Sequence, residues 1–173
     1  MSSCIEKRGR GFLIYLDDTN FKRWGKMAST NLAGDPNRNK WHNDTRDCEL
    51  VIPDEQLALE MIDLGFNVRK TGELEDSIYP TEYYIRAIAN YKTSNNPPRI
   101  YLVEPNCPPV LMDEESVGRI DLIDVSNVNV VLNSWVNQKG TYTLFIDTMY
   151  VEQALQNDPY AERYFSGLPA GGL

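Results

Sequence analysis

The sequence predicts a mainly β fold of the α+β kind, a small OB-type antiparallel barrel with one or two short helices. Three observations support this fold class: strand-like alternation recurs along the chain, turn residues suited to hairpins separate the strands, and regular β-α alternation is absent. An OB-type barrel accepts a helix between its strands, which matches the order of elements along the chain. A two-sheet β-sandwich is the alternative.

Apolar or alternating segments predict the strands, in which successive side chains point to opposite faces. In chain order they cover residues 11–17, 47–52, 81–91, 99–104, 124–137 and 141–153. We expect 81–91 and 99–104 to pair with each other across the loop between them. Residues 110–121 predict a short strand followed by one or two helical turns that Asp113 caps.

Residues 53–65 form the clearest predicted helix. Asp54 suits the first turn, Leu57 and Met61 recur at helical spacing, and Gly65 is suited to the C-terminal end. This helix therefore separates two predicted strands.

The domain organisation is predicted to be simple. We expect one OB-like domain over residues 1–155, a long basic loop over 18–46 within it, and a flexible tail over 156–173. A loop of that length inside a compact domain is usually functional or disordered. No apolar run approaches the roughly 20 residues of a membrane-spanning helix, so we expect a cytoplasmic protein.

The charge of the chain is strongly uneven. The formal net charge is −8, yet residues 1–46 carry nine Lys or Arg against five acids, an excess of +4. The remaining residues carry eight basic and twenty acidic side chains, an excess of −12. Such asymmetry indicates a surface that faces a polyanion on an otherwise acidic body.

Sequence patterns typical of enzymes are scarce. The phosphate-binding glycine motifs and the common hydrolase motifs are absent, and His42 is the one histidine that could act as a base. The cysteines, Cys4, Cys48 and Cys107, are too few and too widely spaced for a disulfide framework or a zinc site. We expect no enzymatic activity, no cofactor and no metal. The weaker alternative is a metal-dependent nuclease, in which Asp121, Asp124 and Asp147 would converge in one site.

The basic, aromatic segment has the two chemistries that binding of single strands requires: cations for phosphates and flat rings on which unpaired bases stack. The candidate contact residues are Lys22, Arg23, Trp24, Lys26, Arg38, Lys40, Trp41, Arg46, Tyr84, Arg86, Tyr91 and Lys92. Packing in the core is the competing interpretation for the two tryptophans, and a solvated face is the competing interpretation for the cations.

The order of motifs resembles that of single-stranded DNA-binding proteins of tailed bacteriophages. The similar segments are TNLAG (30–34), the Asn/Arg-rich turn, strand and helix of 37–69, the strands of 83–104, the short helix and Trp-ended strand of 110–135, and KGTYTLFIDTMYV (139–151). Together they cover about two-thirds of the chain in the family's order. Leu32 stands where we expect an aromatic residue in the first motif.

The resemblance implies an OB-like barrel without enzymatic activity or cofactor. It implies coating of single-stranded DNA, independent of sequence, during phage DNA replication or recombination in the host bacterial cytoplasm. The sequence leaves three properties open: RNA binding, a homodimer through edge strands, and contacts with replication or recombination proteins. The alternative function is an acidic protein-interaction or DNA-mimic module of a phage, in host takeover or in a structural role.

Overall fold

The computed structural model describes residues 2–21, 27–71, 81–92 and 95–154. Within these ranges the chain forms ten strands, one α-helix and two 3-10 segments. The strands are β1 (Ile5–Arg8), β2 (Gly11–Leu16), β3 (Met27–Asn31), β4 (Asp47–Ile52), β5 (Arg69–Lys70), β6 (Tyr83–Ile88), β7 (Arg99–Val103), β8 (Val110–Met112), β9 (Val125–Val136) and β10 (Tyr142–Gln153). The helix α1 is Glu55–Leu64, and the 3-10 segments are Pro36–Arg38 and Val117–Leu122.

The strands form one sheet in the order β1-β2-β9-β10-β6-β4-β3, with β5 added to β6 and the β7–β8 pair added to β10. Among the described strands, β1 and β3 lie at the two ends of this path, so the sheet is open. Partly open sheets are typical of OB-type barrels. The prediction of a mainly β fold with few helices is confirmed.

Strand β10 pairs in parallel with two strands, β6 and β7. Leu144 and Phe145 pair with β6, whereas Thr148 to Glu152 pair with β7. An irregularity between Ile146 and Thr148 separates the two parts of β10, and such bulges bend a strand. Because β7 lies along β10 and β8, the expected pairing of 81–91 with 99–104 is wrong.

One face of the sheet is buried in the core. In β9, Val128, Val130 and Leu132 are buried while the residues between them face outwards. In β6 the buried side chains are Tyr83, Ile85 and Ala87, so Tyr84, Arg86 and Ile88 lie on the outer face. The outer face of the sheet is therefore available for a ligand.

Helix α1 follows the predicted boundaries closely. Asp54 is the N-cap, and its side chain accepts a hydrogen bond from the backbone N–H of Gln56. Gly65 ends the helix at φ 100°, a left-handed conformation that favours glycine. Leu57 and Met61 are buried against the core, as their spacing predicts.

The predicted basic loop contains more structure than we expected. Strand β3 lies within residues 18–46 and pairs with β4, and the 3-10 turn Pro36–Arg38 follows it. In β3, Asn31 alone is buried, so the segment lacks the apolar alternation that identifies a strand. Strand β1, which has one buried residue and three exposed ones, was missed for the same reason.

The cysteines are free thiols: Cys4 and Cys48 are buried, whereas Cys107 is exposed. Burial raises the pKa of the Cys48 thiol far above its usual range, so this side chain packs as a neutral apolar group. No helix among the described residues has both the length and the hydropathy of a membrane span.

Candidate nucleic-acid interface

A groove of about 290 Å³ lies on the outer face of β4 and β6, beside the loop that follows β3. We call it the cationic groove. Its charged and aromatic lining residues are Arg38, Lys40, Trp41, Arg69, Arg86, Asp47 and Glu49. Four cations against two acids leave this groove with an excess of two positive charges, although the whole chain carries −8.

Trp41 is the exposed aromatic ring of the cationic groove. Its side chain is 53% exposed, and two cations lie near its ring: Lys40 Nζ at 4.6 Å and Arg86 Cζ at 5.2 Å from the centroid. Arg86 is fixed, because its Nε donates a 2.6 Å hydrogen bond to Asp47 Oδ2. Lys40 is exposed and has no acidic partner among the residues that the structure describes.

The amide of Asn39 shapes the turn that presents Trp41. Its Oδ1 accepts hydrogen bonds from the backbone N–H groups of Trp41 (3.1 Å) and Asn43 (3.2 Å), and its Nδ2 donates to the Asn43 carbonyl (2.6 Å). His42, within this turn, adopts φ 51°. Asn side chains commonly cap their own turns in this way, so Asn39 is a positioning residue that the sequence analysis missed.

A buried carboxylate fixes the start of the same loop. Asp121, whose side chain is 2% exposed, accepts hydrogen bonds from the backbone N–H groups of Leu32 (2.8 Å) and Ala33 (2.9 Å). Arg38 lies 3.6 Å from the same carboxylate and keeps about half of its side chain exposed. The carboxylate therefore holds one groove cation in place through an ion pair. Leu32 itself is fully buried, so it packs in the core.

Two further features bring backbone segments of this loop close together. The Asn31 side chain donates to the Asp35 carbonyl (3.1 Å) and accepts from the Asp35 N–H (3.0 Å). Gly34 has φ 68°, and a Cβ there would lie 2.7 Å from the carbonyl oxygen of Asp44. A side chain at this position would therefore force the two backbone segments apart.

The guanidinium of Arg46 contacts backbone carbonyls and an aromatic ring of the protein itself. It donates to the carbonyls of Leu32 (3.0 Å) and Glu114 (2.7 Å), and its guanidinium lies 5.4 Å from the centroid of the Tyr91 ring. The Tyr91 hydroxyl is buried without a hydrogen-bond partner in the described ranges, and burial raises its pKa to about 12. Whether Arg46 and Tyr91 also contact nucleic acid stays a prediction.

The other predicted contact residues are more dispersed. Lys92 is exposed, and its Nζ pairs with Asp44 Oδ1 at 2.9 Å. Tyr84 lies on the outer face of β6, opposite Arg69 in the register with β5. Four predicted residues, Lys22, Arg23, Trp24 and Lys26, lie outside the described residues. The structure adds Arg69, which pairs with Glu49 at 3.4 Å.

The outer face also carries aromatic rings that are not among the residues predicted from the sequence. Trp135 on β9 is 70% exposed. Tyr101 and Tyr150 stack on each other at 4.5 Å with their planes 8° apart. The signal was present for Trp135, because alternation in 124–137 places it opposite the valine face.

The carboxylates of the nuclease alternative have separate structural contacts. Asp121 binds backbone N–H groups, and Asp147 lies 3.7 Å from Arg99 at the irregularity of β10. In the described part of the chain, no three His, Cys, Asp or Glu side chains are grouped as metal ligands would be.

A family model matches most of the chain and names the ligand of its family. The family model "Putative phage ssDNA-binding domain" matches residues 25–170. Among solved structures, a C-terminally truncated single-stranded DNA-binding protein from bacteriophage Enc34 aligns with 87% of this chain and 92% of its own, at 13% identity and a TM-score of 0.39. No curated protein matches the sequence. Because the family model covers most of the chain, the predicted resemblance is confirmed: the protein belongs to the phage single-stranded DNA-binding domain family, and its ligand is single-stranded DNA.

Proposed function

We propose that single-stranded DNA binds along the cationic groove, with one unpaired base stacked on Trp41. The observation that supports this proposal is the half-exposed indole with two cations near its ring, Lys40 and Arg86. Bases supply flat rings and the backbone supplies negative charge, and the groove offers a partner for each.

The two cations near the ring have different roles in this proposal. Arg86 stays in place, because Asp47 holds its guanidinium against the sheet. Lys40 has a long, exposed side chain without an acidic partner in the described ranges, so it can leave the ring when a base arrives. Its ammonium then neutralises the phosphate next to the stacked base. Lys40 therefore exchanges a cation–π contact for a charge–charge contact.

Binding at the cationic groove is independent of sequence. Stacking on an exposed ring tolerates any base, because every base has a π-face, and cations contact the backbone that all sequences share. A protein that coats single strands needs this property.

We further propose that the protein acts without catalysis or cofactor, in phage DNA replication or recombination, in the host bacterial cytoplasm. The absence of catalytic sequence motifs and the family's single-stranded DNA ligand support this role. Self-association would use an edge strand: β1 or β3 offers unpaired backbone groups to a second copy. Replication or recombination proteins remain candidate partners.

Titration of a fluorescent oligo-dT at low salt tests the binding mode. Replacing Trp41 with alanine should weaken binding about 5- to 150-fold, the equivalent of about 1–3 kcal/mol for one stacked base. Trp41→Phe is the matched control, since it keeps a ring and should restore most of the affinity. Parallel titrations with duplex DNA and RNA measure selectivity. Wild-type affinity in Trp41→Ala would refute the proposed groove.

A further inference from the structure

A second groove, of about 420 Å³, lies on the same outer face near β9 and β10. We call it the uncharged groove. It is lined by Trp135, Phe145, Pro98 and the amides of Asn90, Asn96 and Asn133, together with Ile146. No charged side chain lines it among the residues that the structure describes. Its chemistry therefore differs from that of the cationic groove: it has rings and amides but no partner for a phosphate.

The rings of the uncharged groove are placed for a flat ligand. Phe145 pairs with Asn133, and Trp135 lies two residues further along β9, so the two aromatic residues are diagonal neighbours. Diagonal positions lie about 7–8 Å apart. At that separation aromatic side chains are still within reach of each other, so one ligand can contact both rings. Trp135 has no ring contact with another aromatic side chain in the described ranges.

Two amides of the uncharged groove are free to recognise the edge of a ligand, whereas Asn90 Oδ1 already accepts a hydrogen bond from the Lys92 N–H. The side chains of Asn96 and Asn133 are exposed and have no hydrogen-bond partner within the described part of the chain. An Asn amide presents a donor and an acceptor side by side. The edges of unpaired bases present the same pair of groups.

The two grooves lie on one continuous surface. The register pairs Ile88 of β6 with Phe145 of β10. Two residues earlier on both strands, this register brings Arg86 level with Thr143, and Thr143 pairs with Trp135. Adjacent strands are about 4.7–4.9 Å apart, so Trp135 lies two strands, or about 10 Å, from the arginine next to Trp41. One strand of a few nucleotides can reach both grooves.

We propose that the uncharged groove binds one unpaired base of the DNA strand whose backbone lies in the cationic groove. This inference rests on the proposed function. Trp135 stacks on the base, and Asn96 and Asn133 bind its edge. The cationic groove thus holds the strand by its phosphates, whereas the uncharged groove responds to the presence and the kind of base. A protein segment is the competing occupant of this apolar surface.

Oligonucleotides with and without bases test the inference. Trp135→Ala should weaken binding of oligo-dT about 5- to 150-fold, as expected for loss of one stacked base. It should leave binding of an abasic oligomer of the same length unchanged, because that oligomer has nothing to stack. Trp135→Phe should retain most of the affinity for oligo-dT. Leu122→Ala is the matched control, since Leu122 is 87% exposed and lines neither groove.

Asn133→Ala tests the edge contacts separately. It should change the ratio of affinities for oligo-dT, oligo-dC and oligo-dA by a few-fold, whereas Trp41→Ala should lower all three alike. If Trp41→Ala weakens binding but Trp135→Ala binds every oligomer as wild type does, the uncharged groove is not a base site and this inference is overturned. If Trp41→Ala also binds as wild type does, the proposed function fails as well. Thermal unfolding of each variant verifies that the fold is intact.

Discussion

The salt dependence of binding gives the sharpest test of the role of Lys40. Each phosphate that a cation neutralises contributes about −0.7 to the slope of log affinity against log salt concentration for single strands. The cationic groove presents four cations, so they contribute about −2.8 to the slope. Between about 50 and 200 mM salt, that slope corresponds to a loss of affinity of about 50-fold.

Lys40→Ala should reduce the magnitude of the slope by about 0.7, so that the loss over the same salt range falls to about 18-fold. Trp41→Ala should lower the affinity at every salt concentration and leave the slope unchanged, because it removes a ring and no charge. Lys7→Ala is the matched control, since Lys7 is an exposed lysine on β1, at one end of the sheet. Contacts from Lys22, Arg23 and Lys26 would steepen the slope of all variants equally.

Fluorescence anisotropy of a labelled oligo-dT, titrated at several salt concentrations, measures the slopes. A slope for Lys40→Ala equal to that of wild type would show that the ammonium does not reach a phosphate. A slope near zero for wild type would contradict phosphate neutralisation by the groove as a whole.

Three further substitutions test the supports of the site and of the fold. Asn39→Ala should weaken oligo-dT binding about 5- to 30-fold without altering the salt slope, because it frees the turn that presents Trp41. This range corresponds to about 1–2 kcal/mol, the scale of a capping contact, and the same anisotropy titration checks it. Tyr91→Phe should raise the free energy of unfolding by about 1 kcal/mol, because it removes a buried hydroxyl without a described partner. The folded-state pKa of Tyr91, about 12, lies above the ordinary value of 10. The folded state therefore favours the neutral hydroxyl, so the free energy of unfolding is unaffected by this group below pH 10 and falls as pH rises towards 12. Urea unfolding of both proteins across that range should show a smaller alkaline loss for Tyr91→Phe. Gly118→Ala should lower the free energy of unfolding by about 1–3 kcal/mol, because its Cβ would lie 2.8 Å from the Cβ of Ala33; an unchanged urea midpoint would contradict this packing argument.

The core strands and the helix could be predicted because burial of one face makes apolar residues recur at a regular spacing in the sequence. In β9 every second residue is buried, and in α1 the buried positions recur at helical spacing. Strands β1 and β3 could not be predicted in this way, because each buries one residue. The pairing of β7 with β10 depends on the irregularity in the middle of β10. The sequence of β7 gives no indication of that irregularity.

The candidate site could be predicted in part. Composition identified Arg38, Lys40 and Trp41, because cations and rings are concentrated in that segment, and the combination of a ring and a cation on one predicted strand identified Arg86. Arg69 was not predicted, since it belongs to a two-residue strand whose position depends on β6. The hydrogen bonds of Asn39 and Asp121 also depend on the folded backbone, so sequence patterns cannot distinguish these residues from other polar residues of the chain.

In the proposed binding mode, the ion pairs of the cationic groove give a polyanion a defined place on an acidic protein. Arg38, Arg69 and Arg86 each lie beside an acid, and these contacts orient the guanidinium groups before any strand arrives. Partly exposed pairs contribute only about 0–1 kcal/mol, so a phosphate can draw on the remaining N–H donors at little cost. Residues 47–173 carry an excess of −12, a net charge that disfavours contact between the DNA backbone and the acidic body of the protein. In the proposed binding mode, charge thus favours the cationic groove for the phosphates, and Trp41 and Trp135 line the two grooves proposed for the bases.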